Sequence, residues 1–341
     1  MARYISLILI ALASISSRSQ EVARGKADTL RILFYNTENL YDPFNDTLKM
    51  DDDFLPGEPR AWGYQKFKKK INRIARAIIL SGRWNQAALI GLCEIENRFV
   101  LNKLVKDSPL KKAGYQIIHY ESPDPRGVDV ALLYDSSRFK PVYSRAISME
   151  NPADPGFKTR DILYAKGLVF NKDSLHVFVN HWPSKYGGIA SSLEKRRFVA
   201  KKIRLVIDSL LFINPDNNLL LMGDFNDEAN TEVMTLYLGA GPDTRSPENN
   251  PLINLTFRYQ GNKGSHKFRG EWSIIDHFIV SKNLLQGKLK ISPESPVICD
   301  ENMLLETDEN YSGSKPFRTY SGPRYLGGYS DHLPVRVDLI K

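Results

Sequence analysis

Two cysteines in 341 residues leave little room for sulfur chemistry. Cys93 and Cys299 lie far apart in the chain, which excludes a cysteine-ligated metal site of the usual spacing. A secreted protein could pair them. Yet Cys93 ends Leu89-Ile90-Gly91-Leu92-Cys93, which reads as a buried strand, and two buried thiols serve equally well as small apolar groups. No apolar run approaches the roughly 20 residues that span a bilayer. The best contender, Ile5 to Ala13, follows Arg3 and precedes a small polar stretch from Ser14 to Gln20. That order describes a secretory signal peptide over residues 1–19, cleaved between Ser16 and Gln20, with a buried first helix as the alternative. No cysteine follows the apolar core, which argues against a lipid anchor. Internal repeats, linkers and amphipathic membrane helices are also lacking. Residues 28–341 therefore read as one domain, secreted or periplasmic, with no stable membrane insertion and with a monomer expected.

Charge of both signs is abundant, with the positive sign in excess. The formal net charge is +8, and losing Arg3 and Arg18 with the leader still leaves about +6. A basic surface favours an anionic partner: nucleic acid, phospholipid or a phosphorylated small molecule. Hydrophobic residues make up 42% of the chain, enough for a sizeable soluble core.

Strand and helix patterns alternate along the whole chain. Leu30 to Tyr35 is β-rich and stops at Asn36. From Lys66 to Leu80, Ile71, Ile74, Ala75, Ile78 and Ile79 recur at helical spacing, and Gly82 is a plausible stop. Ala87 to Ile95 is almost wholly apolar, as in a strand covered on both faces. A helix is predicted over 98–107, with strands over 115–120, 128–134, 162–170 and 175–179. Ser191-Ser192-Leu193-Glu194 fits a capping box ahead of the apolar face Val199, Ile203, Val206, Ile207 and Leu210. Strands over 219–222, 273–280 and 334–339 and a short helix near 231–238 complete the pattern. The stretch 300–328 reads as a long surface loop.

Polar residues sit where these strands end: Asn36, Glu94, His181, Asp224, Asn226, Asp276 and the pair Asp331-His332. Strand ends present rigidly held groups to a cleft. Each residue alone also has a plain structural reading. Glu94 could pair with an arginine, Asn36 could close a turn, and His181 could be a structural hydrogen bonder. Asp276 lies between apolar positions and needs a partner if buried, for which His332 is a candidate. Arg126-Gly127-Val128-Asp129 could be only a turn and a strand.

Order and combination go further. Asn36, Glu94, Asn180-His181, Gly223-Asp224-Phe225-Asn226, Ile275-Asp276-His277 and Ser330-Asp331-His332 follow one another from N- to C-terminus. From Leu30 onward the chain resembles the endonuclease/exonuclease/phosphatase family, the fold of deoxyribonuclease I and exonuclease III. The resemblance implies an α/β (α+β) fold: a four-layer αββα sandwich of two packed mixed sheets flanked by helices. It implies a metal site from Asn36, Glu94 and Asp331, with Mg²⁺ the first choice and Mn²⁺ or Ca²⁺ as substitutes. It gives Asp224 the attacking water, Asn226 the phosphate or metal, His332 the scissile phosphate and Asp276 the orientation of His332. His181 matches the second histidine of the deoxyribonuclease I branch, and Asp129 is placed as its acidic partner. A histidine at 181, where exonuclease III has tyrosine, points away from abasic-site repair.

The implied activity is metal-dependent hydrolysis of phosphate esters. The first reading is an endonuclease on DNA or RNA. A sphingomyelinase-like or inositol-phosphate-like phosphatase shares the chemistry, and a non-catalytic binding module is the alternative of another class. Arg160, Arg269 and Arg324 are candidate substrate contacts. Lys185, Lys267 and Arg318 lie near the same segments, as do Trp182, Trp272, Tyr320 and Tyr325. Cations with aromatics suit bases and phosphates, and a lipid head group or sugar nearly as well.

Overall fold

The computed structural model describes residues 29–341 apart from 84, 186–187 and 243–250, and only the backbone of 189–191. The leader expected over 1–19 lies outside the described residues. In chain order the strands are β1 (Thr29–Leu40), β2 (Leu89–Ile95), β3 (Gln116–His119), β4 (Asp129–Tyr134), β5 (Phe139–Ile147), β6 (Ile162–Val169), β7 (Asp173–His181) and β8 (Leu219–Asp224). Then come β9 (Ala240–Gly241), β10 (Leu252–Asn254), the hairpin β11 (His266–Phe268) with β12 (Glu271–Ser273), and β13 (Asp276–Ser281). The last are β14 (Lys290–Ile291), β15 (Val297–Ile298), the hairpins β16 (Leu305–Thr307) with β17 (Ser314–Pro316) and β18 (Tyr320–Ser321) with β19 (Arg324–Tyr325), and β20 (Val335–Ile340).

Two seven-stranded mixed sheets pack face to face. One has the order β14-β20-β1-β2-β4-β3 with β15 also on β20, the other β5-β6-β7-β8-β13-β10-β9. The long parallel pairs are β1 with β2 in the first sheet and β7 with β8 in the second, where the short β9 and β10 also run parallel. A parallel pair needs a crossover. Helix α1 (Tyr64–Gly82) supplies it in the first sheet, and α3 (Ile189–Ile213) in the second. Helix α2 (Arg98–Lys106), capped by the Asn97 side chain on the Val100 amide, follows β2. The layers run helix, sheet, sheet, helix, as the family resemblance implies.

Alternation along the strands sorts side chains between layers. Leu175, Val177 and Val179 of β7 and Leu220 and Met222 of β8 fill the space between the sheets. Phe178, Leu219 and Leu221 point the other way, onto Val199, Ala200, Ile203 and Ile207 of α3. Burying such aliphatic side chains stabilises by roughly 1.5–3 kcal/mol each. Close approach favours glycine at several places, Gly91 and Gly223 among them. A Cβ on Gly91 would lie 2.8 Å from Met222 Cε of the facing sheet, and one on Gly223 only 2.4 Å from the Asn180 carbonyl oxygen.

Several local expectations are revised. Strand β5 has no counterpart in the sequence pattern, because this edge strand is exposed over most of its length and carries Pro141 at a register shift. Helix α3 begins at Ile189, ahead of Ser191, so the capping box is not realised. Ile79 on α1 is 45% exposed rather than part of the apolar face. The stretch 300–328 folds into the hairpins β16–β17 and β18–β19. Both cysteines are buried free thiols. No helix among the described residues is long and apolar enough to cross a membrane.

Burial also holds two histidines neutral. His277 Nε2 donates to the Asp227 carbonyl at 2.9 Å and Nδ1 faces Thr256 Oγ1 at 2.6 Å. His176 Nδ1 meets the Tyr164 hydroxyl at 2.8 Å. Burial lowers both to about 4. The unfolded chain therefore takes up protons near pH 6.5 that the native state refuses until about 4, and stability falls as pH drops through that window. Each histidine should contribute roughly 3 kcal/mol to that loss. Urea unfolding at pH 7 and pH 4.5 should show it, and His277→Gln should flatten the pH dependence by about one proton. An unchanged slope would contradict the neutral, buried assignment.

Candidate active site

The two crossovers put four strand ends at one edge of the sandwich. Asn36, Glu94, His181 and Asp224 sit toward or at the C-terminal ends of β1, β2, β7 and β8. Antiparallel β13 begins at Asp276, directly opposite Asp224. The turn before β20 brings Ser330, Asp331 and His332, and the Ser330 hydroxyl ties it down by donating to the Asn36 carbonyl at 2.8 Å. Ser330 Oγ in turn accepts the His332 amide at 3.1 Å.

A single amide joins the carboxylates. Asn36 Nδ2 donates to Asp224 Oδ2 at 3.0 Å and to Glu94 Oε1 at 3.2 Å, while its Oδ1 accepts the Glu38 amide at 2.9 Å. Glu94 Oε2 accepts the Asn39 amide at 2.7 Å. Asp224 Oδ1 accepts the Asn226 amide at 2.8 Å, and Asn226 Nδ2 donates to the Trp182 carbonyl at 2.9 Å. Glu38, Asn39, Glu94 and Asn226 all have φ between 51° and 59°. Left-handed backbone is costly for such residues and clusters where function needs it. Here it turns carboxylates and amides inward at bulges in β1 and β2.

His332 Nδ1 bonds Asp276 Oδ2 at 2.7 Å, and the Ser265 hydroxyl donates to the same oxygen at 2.5 Å. His332 Nε2 faces Asp224 Oδ2 and Asp331 Oδ1, both at 3.9 Å. Burial opposes the imidazolium, but the charges of Asp276, Asp224 and Asp331 prevail and raise His332 well above 6.5. Asp224 rises as well, but there it is the neutral form that gains: burial, then the Asp276 charge, pushes it up to about 7. The two groups are thus poised as base and charged donor.

Beneath them lies a buried chain of ions. Lys70, 1% exposed, approaches Glu38 at 3.6 Å and donates to the Tyr329 carbonyl at 2.6 Å and to the Thr319 hydroxyl. Burial lowers Lys70; burial and the Asp331 charge raise Glu38. Arg318 Nη2 bonds Asp331 at 3.0 Å and its Nε approaches Glu38 at 3.4 Å. Burial works against Asp331, yet the charges of His332 and Arg318 hold its carboxyl below the usual range.

Two site expectations are corrected, the acidic partner of His181 and the metal role of Asn36. Asp129 does not serve His181: its Oδ2 bonds His119 Nε2 at 3.1 Å and its Oδ1 accepts the Ser122 amide at 2.9 Å. Register explains this. His119 pairs with Ala131, so Asp129 is its diagonal neighbour on the same face and captures the imidazole first. His181 Nδ1 is buried without a partner, and Nε2 lies 3.8 Å from Glu94 Oε1. Burial, then the charges of Arg160 and Arg126, holds His181 neutral. Asn36 is a bracket rather than a ligand, because its amide nitrogen faces the carboxylates. Arg160 is buried, bonding Asp124 at 3.0 Å and the Trp182 carbonyl at 2.6 Å. Arg269 and Arg324 are exposed on the hairpins β11–β12 and β18–β19, with no hydrogen bond or ion pair to the site among the described residues. Lys267 is occupied by Asp308 at 3.0 Å, and Trp182 is fully buried against Phe225. Sequence reading missed Glu38, Lys70, Ser265 and Ser330; only Ser330, inside a motif, carried a signal.

The donors left for a cation are the carboxylates of Glu94 and Asp331, hard oxygens suited to Mg²⁺. Ligand atoms of Asp224, Asp276 and His332 lie within 4.8 Å of one another, as do those of His266, Asp331 and His332.

The family model for the endonuclease/exonuclease/phosphatase family matches residues 31–341. The chain belongs to this family. No curated protein matches it significantly by sequence. Solved structures do match by fold. D. rerio TDP2 complexed with single-strand DNA product is 14% identical, with TM-score 0.53, covering 92% of this chain and 99% of that one. Bacteroides thetaiotaomicron mannosyl-6-phosphatase is 15% identical, with TM-score 0.55 and coverage of 92% and 100%. The human Nocturnin catalytic domain with bound sulfate is 16% identical, with TM-score 0.52 and coverage of 92% and 96%. At these identities the likeness is one of fold. This chain is therefore a phosphate-ester hydrolase by family, with the substrate left to its own site.

Two outcomes follow from the geometry. In NMR titration the His332 imidazole should stay protonated beyond pH 6.5, and Asp276→Asn should bring its titration down; a wild-type resonance titrating at or below 6.5 would contradict the dyad. Lys70→Met should cost about 3–5 kcal/mol by leaving Glu38 buried and uncompensated, with Lys70→Met/Glu38→Gln recovering part of it. Urea unfolding of the three proteins tests this, and a single-variant loss below about 1 kcal/mol would count against the ion chain.

Proposed function

We propose that this chain is a secreted, divalent-cation-dependent phosphodiesterase, acting as an endonuclease on DNA or RNA. The observation that carries the reading is the meeting of Asp224, raised to about 7, with the charged His332–Asp276 pair at 3.9 Å. Asp224, held by Asn36 and the Asn226 amide, takes the proton of the attacking water; a carboxylate titrating near neutrality suits that task. As the water oxygen bonds phosphorus and the ester P–O bond breaks, His332 offers Nε2–H to a non-bridging phosphate oxygen or gives that proton to the leaving oxygen, and Ser265 and Asp276 fix its ring. His181, neutral, supplies a hydrogen bond beside Glu94 but not a ready proton. A divalent cation held by Glu94 and Asp331 would offset the charge on the phosphate. Arg318 holds Asp331 in place for it.

The excess of positive charge and the cationic side chains around the site favour a polyanionic substrate over a neutral head group. The same fold holds single-strand DNA in D. rerio TDP2. Secretion rests on the basic start, the apolar run and the small residues after it. Purified protein should nick supercoiled plasmid or cleave RNA with Mg²⁺ and stop with chelator. Asp224→Asn should lower kcat/KM by about 10²–10⁴-fold, and Glu94→Gln should raise the Mg²⁺ needed for half-maximal rate. Cleavage that survives chelator, or equal rates for wild type and Asp224→Asn, would sink the proposal.

A further inference from the structure

A cavity of about 520 Å³ has in its wall Asn39, whose amide bonds Glu94, and Pro183, two residues past His181. Five cations line it: Arg60, Arg126, Lys158, Arg160 and Lys195. Two carboxylates answer them. Asp124 is shared by Arg160 at 3.0 Å and Arg126 at 3.5 Å, and Asp53 lies 3.6 Å from Arg60. Lys158 and Lys195 are exposed and make no ion pair among the described residues. The wall also carries unmet hydrogen-bonding capacity: Thr159 Oγ1 and Arg160 Nε are buried without partners, on side chains 3% and 6% exposed. Orphaned buried polar atoms in a native fold call for an explanation, and two of them in a wall with surplus positive charge point to an anion.

The cavity is joined to the catalytic groups by single bonds. Asn39, on its rim, donates its amide to Glu94. Arg160 and Asn226 share the Trp182 carbonyl as acceptor. Tyr41 and Phe54, stacked with ring centroids 4.3 Å apart, add an aromatic wall. We infer that this cavity binds a second phosphate group of the substrate, next to the one cleaved, so that the enzyme prefers esters carrying two phosphates. The inference rests on the phosphodiesterase reading and extends it to substrate class. Lys158 and Lys195 supply mobile charge; the buried Arg160 and Thr159 supply fixed donors.

The test separates binding from turnover. On Asp224→Asn protein, calorimetric titration compares thymidine 3′,5′-bisphosphate with thymidine 5′-monophosphate, and fructose 1,6-bisphosphate with fructose 6-phosphate. A bisphosphate advantage of about tenfold, lost on adding Lys158→Ala/Lys195→Ala, is expected. Advantage in the nucleoside pair alone would assign the second phosphate to a nucleic-acid strand; advantage in the sugar pair would assign it to a phosphorylated sugar. Equal binding within both pairs, or an advantage that survives the lysine substitutions, would overturn the inference. In turnover, the kcat/KM ratio of a short oligonucleotide over bis(p-nitrophenyl) phosphate should fall about tenfold in Lys158→Ala/Lys195→Ala. Failure to cleave either substrate would strike the phosphodiesterase reading, while the titration still decides the second phosphate site.

Discussion

Carboxylate crowding governs this molecule. Asp224, Asp276, Glu94, Asp331 and Glu38 gather at one edge of the sandwich; Glu38, Asp224 and Asp276 are buried, Glu94 and Asp331 partly so. Like charges at low dielectric repel strongly, so each carboxylate is matched to a device. Asp276 has His332 and Ser265, Asp331 has Arg318, Glu38 has Lys70, and Glu94 and Asp224 share the Asn36 amide. At Asp224 burial and the Asp276 charge outweigh the help of His332 and the Asn226 amide, and its rise to about 7 is the result. The proton economy of the site is thus a property of the group of carboxylates rather than of one residue.

The backbone makes that crowding possible. Two β-α-β crossovers align the ends of β1, β2, β7 and β8, and the glycines at 91 and 223 let neighbouring layers and strands approach where a Cβ would collide. Bulges with left-handed residues then swing Glu94 and Glu38 off the strand alternation and into the cleft. Strain at these positions is held by the ladders on either side, so stability built in the cores is drawn on at the site.

Much of this was legible in the chain. A polar residue closing an apolar run marks the strand end at His181 and Asp224 and within one residue at Glu94, whereas β1 runs on past Asn36 to Leu40. Their order with Asp276 and Ser330-Asp331-His332 carried the family and the four layers. Other features left no local trace. Lys70 sits among Lys68 and Lys69 and looks like one more solvated helix lysine, yet it is buried. Glu38 lies two residues past Asn36 with nothing in its neighbourhood to suggest a buried carboxylate. Arg160 and Lys267 look free in sequence and are occupied by Asp124 and Asp308 in the fold. Strand β5 escaped notice because an exposed edge strand has no apolar alternation to show.

The sequence by itself determined which elements form and which chemical groups stand at their ends, because hydrophobic periodicity and strand termination are local properties of the chain. Tertiary structure alone decided who meets whom. Asp129 went to His119 instead of His181 through a strand register, Asn36 became a bracket through the direction of its amide, and Lys70 found Glu38 across the chain. Pairings of that kind depend on packing between residues far apart in sequence, where burial and charge act over a few ångströms and no local pattern records the outcome.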